Sequence, residues 1–179
     1  MMKNIYLLFL CISFTGISQE KYLTKSGVLN FEASVDAFEE IKASNSNVTA
    51  IFNAANGQIA ALALVKGFRF KNALMEEHFN ENYAESDLYP KAIFKGELVG
   101  FSLDALQTSY SIQGTLSFHG ITKSLENVSV EVKSSENSLT LQGTFEIAPN
   151  DFDIEIPKIV SSKIADSVGV VFEFELTEK

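Results

Sequence analysis

Apolar and polar side chains alternate with a period of two along most of this chain. In the segment 110–118, Tyr110, Ile112, Gly114, Leu116 and Phe118 share one parity, and Ser111, Gln113, Thr115 and Ser117 share the other. Successive side chains of a strand point to opposite faces, so the segment predicts a strand with one dry face and one wet face. Leu29, Phe31 and Ala33 alternate likewise with Asn30 and Glu32, and Val48, Ala50 and Phe52 with Thr49 and Asn53. Near the C-terminus Val170, Phe172, Phe174 and Leu176 face one way, and Glu173 and Glu175 the other. Residues 58–65 predict a strand that is apolar on both faces, and 91–101, 124–133 and 139–147 complete the set. Ala54–Gly57 contains an Asn-Gly pair suited to positive φ and predicts a tight turn. Ser135–Ser138 predicts a hairpin loop.

About eight strands with short connections imply an all-β, antiparallel domain, either a closed barrel or a sandwich. The charges say which face meets water. Glu131, Lys133, Glu173 and Glu175 lie on the polar faces, whereas a membrane barrel carries an apolar band outside. The expectation is therefore an apolar interior and a water-facing exterior. One segment breaks the period. Leu74, Met75, Phe79 and Tyr83 recur at helical spacing behind Asn72, a natural cap, and predict a helix serving as lid or plug at one barrel end. Residues 84–90 predict a second short turn stopped by Pro90. Residues 148–157 read as a loop followed by an extended edge, and 158–166 as another short helix.

Composition adds limits. Lys3, the apolar run Ile5–Phe14, and the small residues Gly16 and Ser18 have the layout of a secretory signal. The expected division is a cleaved signal over 1–18 and one β domain over 19–179. The apolar run is shorter than the roughly 20 residues a bilayer span requires, and no later run reaches that length. Cys11, the only cysteine, lies within the signal. The remaining domain thus offers no disulfide, thiolate metal site or cysteine nucleophile. The formal net charge of −9 disfavours nucleic acid, whose phosphates such a surface repels.

Catalytic chemistry finds little support. There is no Gly-x-Ser-x-Gly elbow and no glycine-rich phosphate loop. Asp151 and Asp153 read as part of an acidic loop. His78, among Glu76, Glu77 and Glu81, reads as a solvated helix face, and His119 as a turn residue bonding nearby backbone. No enzyme activity, metal or cofactor is expected.

Several segments together resemble the YceI-like family of bacterial lipid- and polyisoprenoid-binding proteins. These are Tyr22–Phe31, Gly67–Phe70, Leu74–Phe79, Tyr83–Pro90, Lys91–Gly96, Tyr110–Lys123, Asn150–Pro157 and Lys163–Asp166. Tyr110–Lys123 is the most telling, being similar to the family stretch "y-x-v-x-G-x-L-t-x-h-G-v-T-k". The resemblance implies an antiparallel eight-stranded lipocalin-like β-barrel with one or two short helices. It also implies a periplasmic or secreted, non-catalytic protein holding a polyisoprenoid, quinone-like or fatty-acid-like ligand in an apolar tunnel. The ligand-binding positions are then inward ones: Phe31, Phe52, Leu62, Leu64, Phe68, Phe70, Met75, Phe79, Phe94, Tyr110, Ile112, Gly114, Leu116, Phe118, Leu141, Gly143, Phe145, Phe172 and Phe174.

The residues themselves leave the interior undecided. Gly114 and Gly143, with Ala33, Ala50 and Ala92, could leave a channel between Phe94, Phe118, Phe145 and Phe172. They could equally permit curvature around a solid phenylalanine core. The alternatives to a carrier are a non-catalytic interaction module and a haem-binding relative using His78 and His119. Exposed edges or a Phe-rich patch would support a homodimer.

Overall fold

The computed structural model describes residues 20–35 and 38–179. The expected signal, with Cys11, lies outside the described residues. Nine strands form one antiparallel sheet. They are β1 (Lys21–Ser34), β2 (Lys42–Asn53), β3 (Gln58–Leu64), β4 (Arg69–Phe70), β5 (Lys91–Leu98), β6 (Ser109–Phe118), β7 (Ile121–Ser134), β8 (Ser138–Ile147) and β9 (Ile164–Glu178). The sheet closes into a barrel of eight strands because β1 pairs with β2 on one side and β9 on the other. Closure, not a sandwich, is thus the arrangement adopted. Full closure also removes the unpaired edges that an open sheet would present.

The two-residue β4 pairs with the start of β2, matching Ala43 with Phe70. It resumes the line of β3 after a 3-10 turn over Val65–Gly67. That turn packs on Asn45, which is 1% exposed and bonds the Leu64 carbonyl through Nδ2 at 3.0 Å. The β3–β5 ladder reaches Leu64 opposite Lys91, and β4 pairs with β2 alone. The crossover from β4 to β5 leaves the wall at this parting. It contains α1 (Ala73–His78), continued by a π-helical turn over Phe79–Tyr83.

The expected turns form for the expected reasons. Gly57 sits at φ +71, and Asn56 Oδ1 accepts from the Gln58 N–H at 3.1 Å. His119 and Gly120, both at positive φ, join β6 to β7 as a two-residue hairpin turn. Ser135 and Ser138 close the β7–β8 hairpin. Glu131, Lys133, Glu173 and Glu175 all point outward into solvent. The barrel therefore has the polarity opposite to a membrane barrel. No described helix is long and apolar enough to cross a membrane.

One element differs from expectation. The short helix expected over residues 158–166 is cut to a single 3-10 turn over Ser161–Lys163, and β9 begins at Ile164. Val168 and Val170 continue the apolar alternation of the strand toward its start, so pairing with β8 and β1 takes these residues.

Candidate functional site

The two ends of the barrel are built differently. One end holds the β2–β3, β5–β6 and β7–β8 connections, and its interior is solid. Phe52, Leu139, Leu141, Leu176 and Val130 are each no more than 1% exposed there, with Tyr110 and Leu98 packed alongside. Fully burying one such side chain is worth roughly 1.5–3 kcal/mol, so this half anchors the fold.

The other end holds the crossover, the β6–β7 turn, and the β1–β2 and β8–β9 connections. It encloses a cavity of about 580 Å³. Its wall is almost wholly apolar. Phe31, Phe68, Phe70, Met75, Phe79, Leu116, Phe118 and Phe145 contribute to it, together with Ala33, Ala92, Phe152, Ile154, Ile156 and Val170. A narrower extension of about 70 Å³ continues toward the barrel centre. It shares Leu29, Ala92, Leu116 and Phe145 with the main cavity and adds Ala61, Ala63, Phe94, Ile112, Phe172 and Phe174. Alanines on β3 and β5 hold the extension open, because small side chains leave the wall thin.

Four phenylalanines expected at the site form one cluster beneath the crossover. The ring of Phe31 lies 5.2 Å from Phe68, 5.7 Å from Phe70 and 5.3 Å from Phe79, and Phe79 lies 5.2 Å from Phe70. These tilted and edge-on contacts are the favoured aromatic geometries. The lid over them is set by polar ties. Asn72 caps α1, its Oδ1 accepting from the Leu74 N–H at 2.9 Å, while its Nδ2 donates to Glu39 at 3.2 Å. The Glu76 carboxylate accepts from Arg69 Nη1 at 3.0 Å and from the Phe70 N–H at 3.1 Å, joining the helix to β4.

The expected inward glycines are not open to a ligand. A Cβ on Gly143 would fall 2.7 Å from the Phe172 ring, and one on Gly114 would fall 2.8 Å from the Phe94 ring. Gly96, paired with Gly114, lies under the same Phe94 ring, and Gly27 lies under Phe174. Each glycine leaves the wall a recess that a phenylalanine ring occupies. Phe94, Phe172 and Phe174 thereby line the extension of the cavity.

Other expected positions are also relocated. Leu62 and Leu64 point outward, Leu64 being 52% exposed, because Ile59, Ala61 and Ala63 occupy the inward parity of β3. Phe52, Tyr110 and Leu141 belong to the solid half. Sequence reasoning missed the β8–β9 connection as a wall. After a 3-10 turn over Pro149–Phe152, the chain runs extended without joining the sheet. Phe152, Ile154 and Ile156 nevertheless face the cavity, while Asp151, Asp153 and Glu155 face solvent. That alternation was the available signal.

His119 is a turn residue, as expected, but its ring bonds groups distant in the chain instead of nearby backbone. It is 9% exposed, and its Nδ1 lies 2.8 Å from the Phe152 carbonyl oxygen. Its Nε2 lies 2.8 Å from Glu85 Oε2, and Tyr89 packs edge-on against it at 4.5 Å. The side chain ties the β6–β7 turn to the crossover and to the cavity wall at Phe152. With both nitrogens engaged it is not placed as a haem ligand. His78 is exposed on α1, as expected, and also borders the cavity rim. No group of three or more His, Cys, Asp or Glu side chains suited to a metal ion occurs among the described residues.

A sequence profile described as the YceI-like domain matches residues 21–176. A search of curated protein sequences gives no significant match. Among solved structures, the chain is similar to a polyisoprenoid binding domain from Saccharophagus degradans described as implicated in plant cell wall breakdown. The TM-score is 0.75 at 15% identity, with 90% of this chain and 99% of that one covered. It is similar to BcnA of Burkholderia cenocepacia, with TM-score 0.70, 18% identity and coverages of 84% and 96%. It is also similar to the YCEI protein of Campylobacter jejuni, with TM-score 0.65, 16% identity and coverages of 79% and 87%. At these identities the likeness establishes the fold.

Proposed function

The chain belongs to the YceI-like domain family, and on that premise we propose that it is a non-catalytic carrier of a slim apolar molecule, held in the hollow half of the barrel. The observation that carries this reading is the apolar cavity of about 580 Å³, within the range of small-molecule sites. The polyisoprenoid-binding domain of the same fold supports it. The ligand class is a polyisoprenoid, a quinone-like molecule or a fatty-acid-like chain. The signal-like pattern of residues 1–18 supports export, to the periplasm or beyond the cell.

Cavity size bounds the enclosed length. At roughly 30 Å³ per non-hydrogen atom, about the share of one water molecule in the liquid, 580 Å³ holds on the order of 20 such atoms. A longer chain leaves its remainder at the mouth. At about 0.3 kcal/mol per atom, 20 atoms give roughly 6 kcal/mol, or binding on the order of tens of micromolar. Little polar recognition contributes, so selectivity follows chain width and length more than headgroup.

Native mass spectrometry of protein purified without detergent, followed by organic extraction, tests the proposal. An extractable apolar molecule at near one-to-one stoichiometry is expected. Protein that yields none, and that fails to take up added long-chain alcohols or acids, would sink the carrier reading.

A further inference from the structure

The cavity opens between three separate segments, and each carries an exposed apolar residue at or next to a lining position. Phe38, between β1 and β2, is 47% exposed; Leu74, on α1, is 57% exposed; both also line the cavity. Ile159, before β9, is 86% exposed and adjoins Val160, which lines it too. A scattered exposed leucine or isoleucine is ordinary. Phe38 and Leu74, from different segments, meet at the opening of one apolar cavity and continue its wall outward, and Ile159 stands exposed beside the lining residue Val160. Lys71, Lys158 and Lys163 stand exposed in the same segments, beside the acids Glu39, Glu40 and Glu155.

We infer that this rim is a docking surface for the interfacial region of a lipid bilayer, through which the apolar molecule passes without crossing water. The inference rests on the carrier reading. Side chains on three loops can sink into headgroups independently, and lysine stems extend along apolar surface with their ammonium in the headgroup layer. The mixed charges suit a zwitterionic surface.

The chain contains no Trp, so Ile159→Trp places a single indole reporter on the rim. Glu136→Trp, in the β7–β8 loop at the solid end, is the control. On adding phosphatidylcholine vesicles, emission from the first variant shifts to shorter wavelength and that from the second does not. Ile159→Asp, tested by vesicle flotation, lowers bilayer partitioning about tenfold while retaining the co-purified molecule. Equal shifts in both reporters, or none in either, overturn the inference. So does a shift seen only with phosphatidylglycerol vesicles and abolished by salt, which would mark lysine adsorption. A concentration-dependent shift without vesicles would overturn it in favour of a second copy. Failure of the carrier reading appears separately, as protein with no extractable molecule, and leaves the emission result to decide docking.

Discussion

Glycine and phenylalanine act in pairs along the barrel wall. A Cβ on Gly114 would lie 2.3 Å from the Lys95 carbonyl oxygen, and one on Gly96 would lie 2.2 Å from that of Gln113. Backbone cannot yield to such contacts as a flexible side chain can. Gly114→Ala is therefore expected to cost about 1–3 kcal/mol through overpacking, measured as a lower urea midpoint with unchanged slope. Removing the ring instead of adding a methyl acts in the other direction on volume. Phe94→Ala leaves a void that joins the 70 Å³ extension, costs about 3–5 kcal/mol, and shifts the extractable ligand toward longer chains. Loss of stability with no change in ligand length would show that this ring does not bound the cavity. At His119 the two hydrogen bonds join segments more than thirty residues apart. Its substitution by Ala leaves the Phe152 carbonyl unpartnered and should cost roughly 1–3 kcal/mol. A melting temperature within a degree of the parent would refute that role.

Among elements, the crossover helix has the least support of its own, with no residue of α1 fully buried. Six residues are too few for a helix to persist alone, so α1 depends on its cap, on the Glu76 ties and on the phenylalanine cluster beneath it. Asn72→Ala removes both the cap and the bond to Glu39. It is expected to destabilise the helix locally by about 1 kcal/mol, seen as faster amide exchange across 73–83 and faster ligand release. The global melting temperature should scarcely move, because the strands of the solid half set it. This helix was readable from spacing and from Asn72, since both signals are local. The β8–β9 wall was harder to place. Its alternation of Phe152, Ile154 and Ile156 is as regular as that of a strand, but no ladder partner exists for it. Period two reports which side chains are buried, not whether the backbone is hydrogen-bonded to a neighbour.

The whole molecule divides labour along the barrel axis, with cohesion at one end and space at the other. Filling the space should then leave cohesion intact. Ala92 lines both the cavity and its extension, so Ala92→Phe is expected to lower ligand occupancy at least about tenfold with the melting temperature preserved. Competition with an environment-sensitive apolar probe measures the first, and calorimetry the second. Retained affinity would place the ligand outside the extension and near the mouth.

The sequence by itself determined the all-β antiparallel character, the outward charges, most of the turns and the lid helix. Each is written in neighbouring residues, through strand or helix periodicity, capping or turn chemistry. The order of segments such as Tyr110–Lys123 carried the family, now matched over residues 21–176. The residue pattern alone left barrel and sandwich open; the family resemblance implied the eight-stranded barrel that the strand pairing forms, and only the tertiary structure decided the division into hollow and solid halves. Closure depends on the β1–β2 pairing combined with the β1–β9 pairing. The outward turn of Leu62 and Leu64 depended on it as well, because a strand apolar on both faces gives no local cue to its parity. The fate of the glycines was likewise non-local. Gly143 and Phe172 are far apart in sequence, and only their meeting across β8 and β9 turns an apparent gap into a seat for a ring.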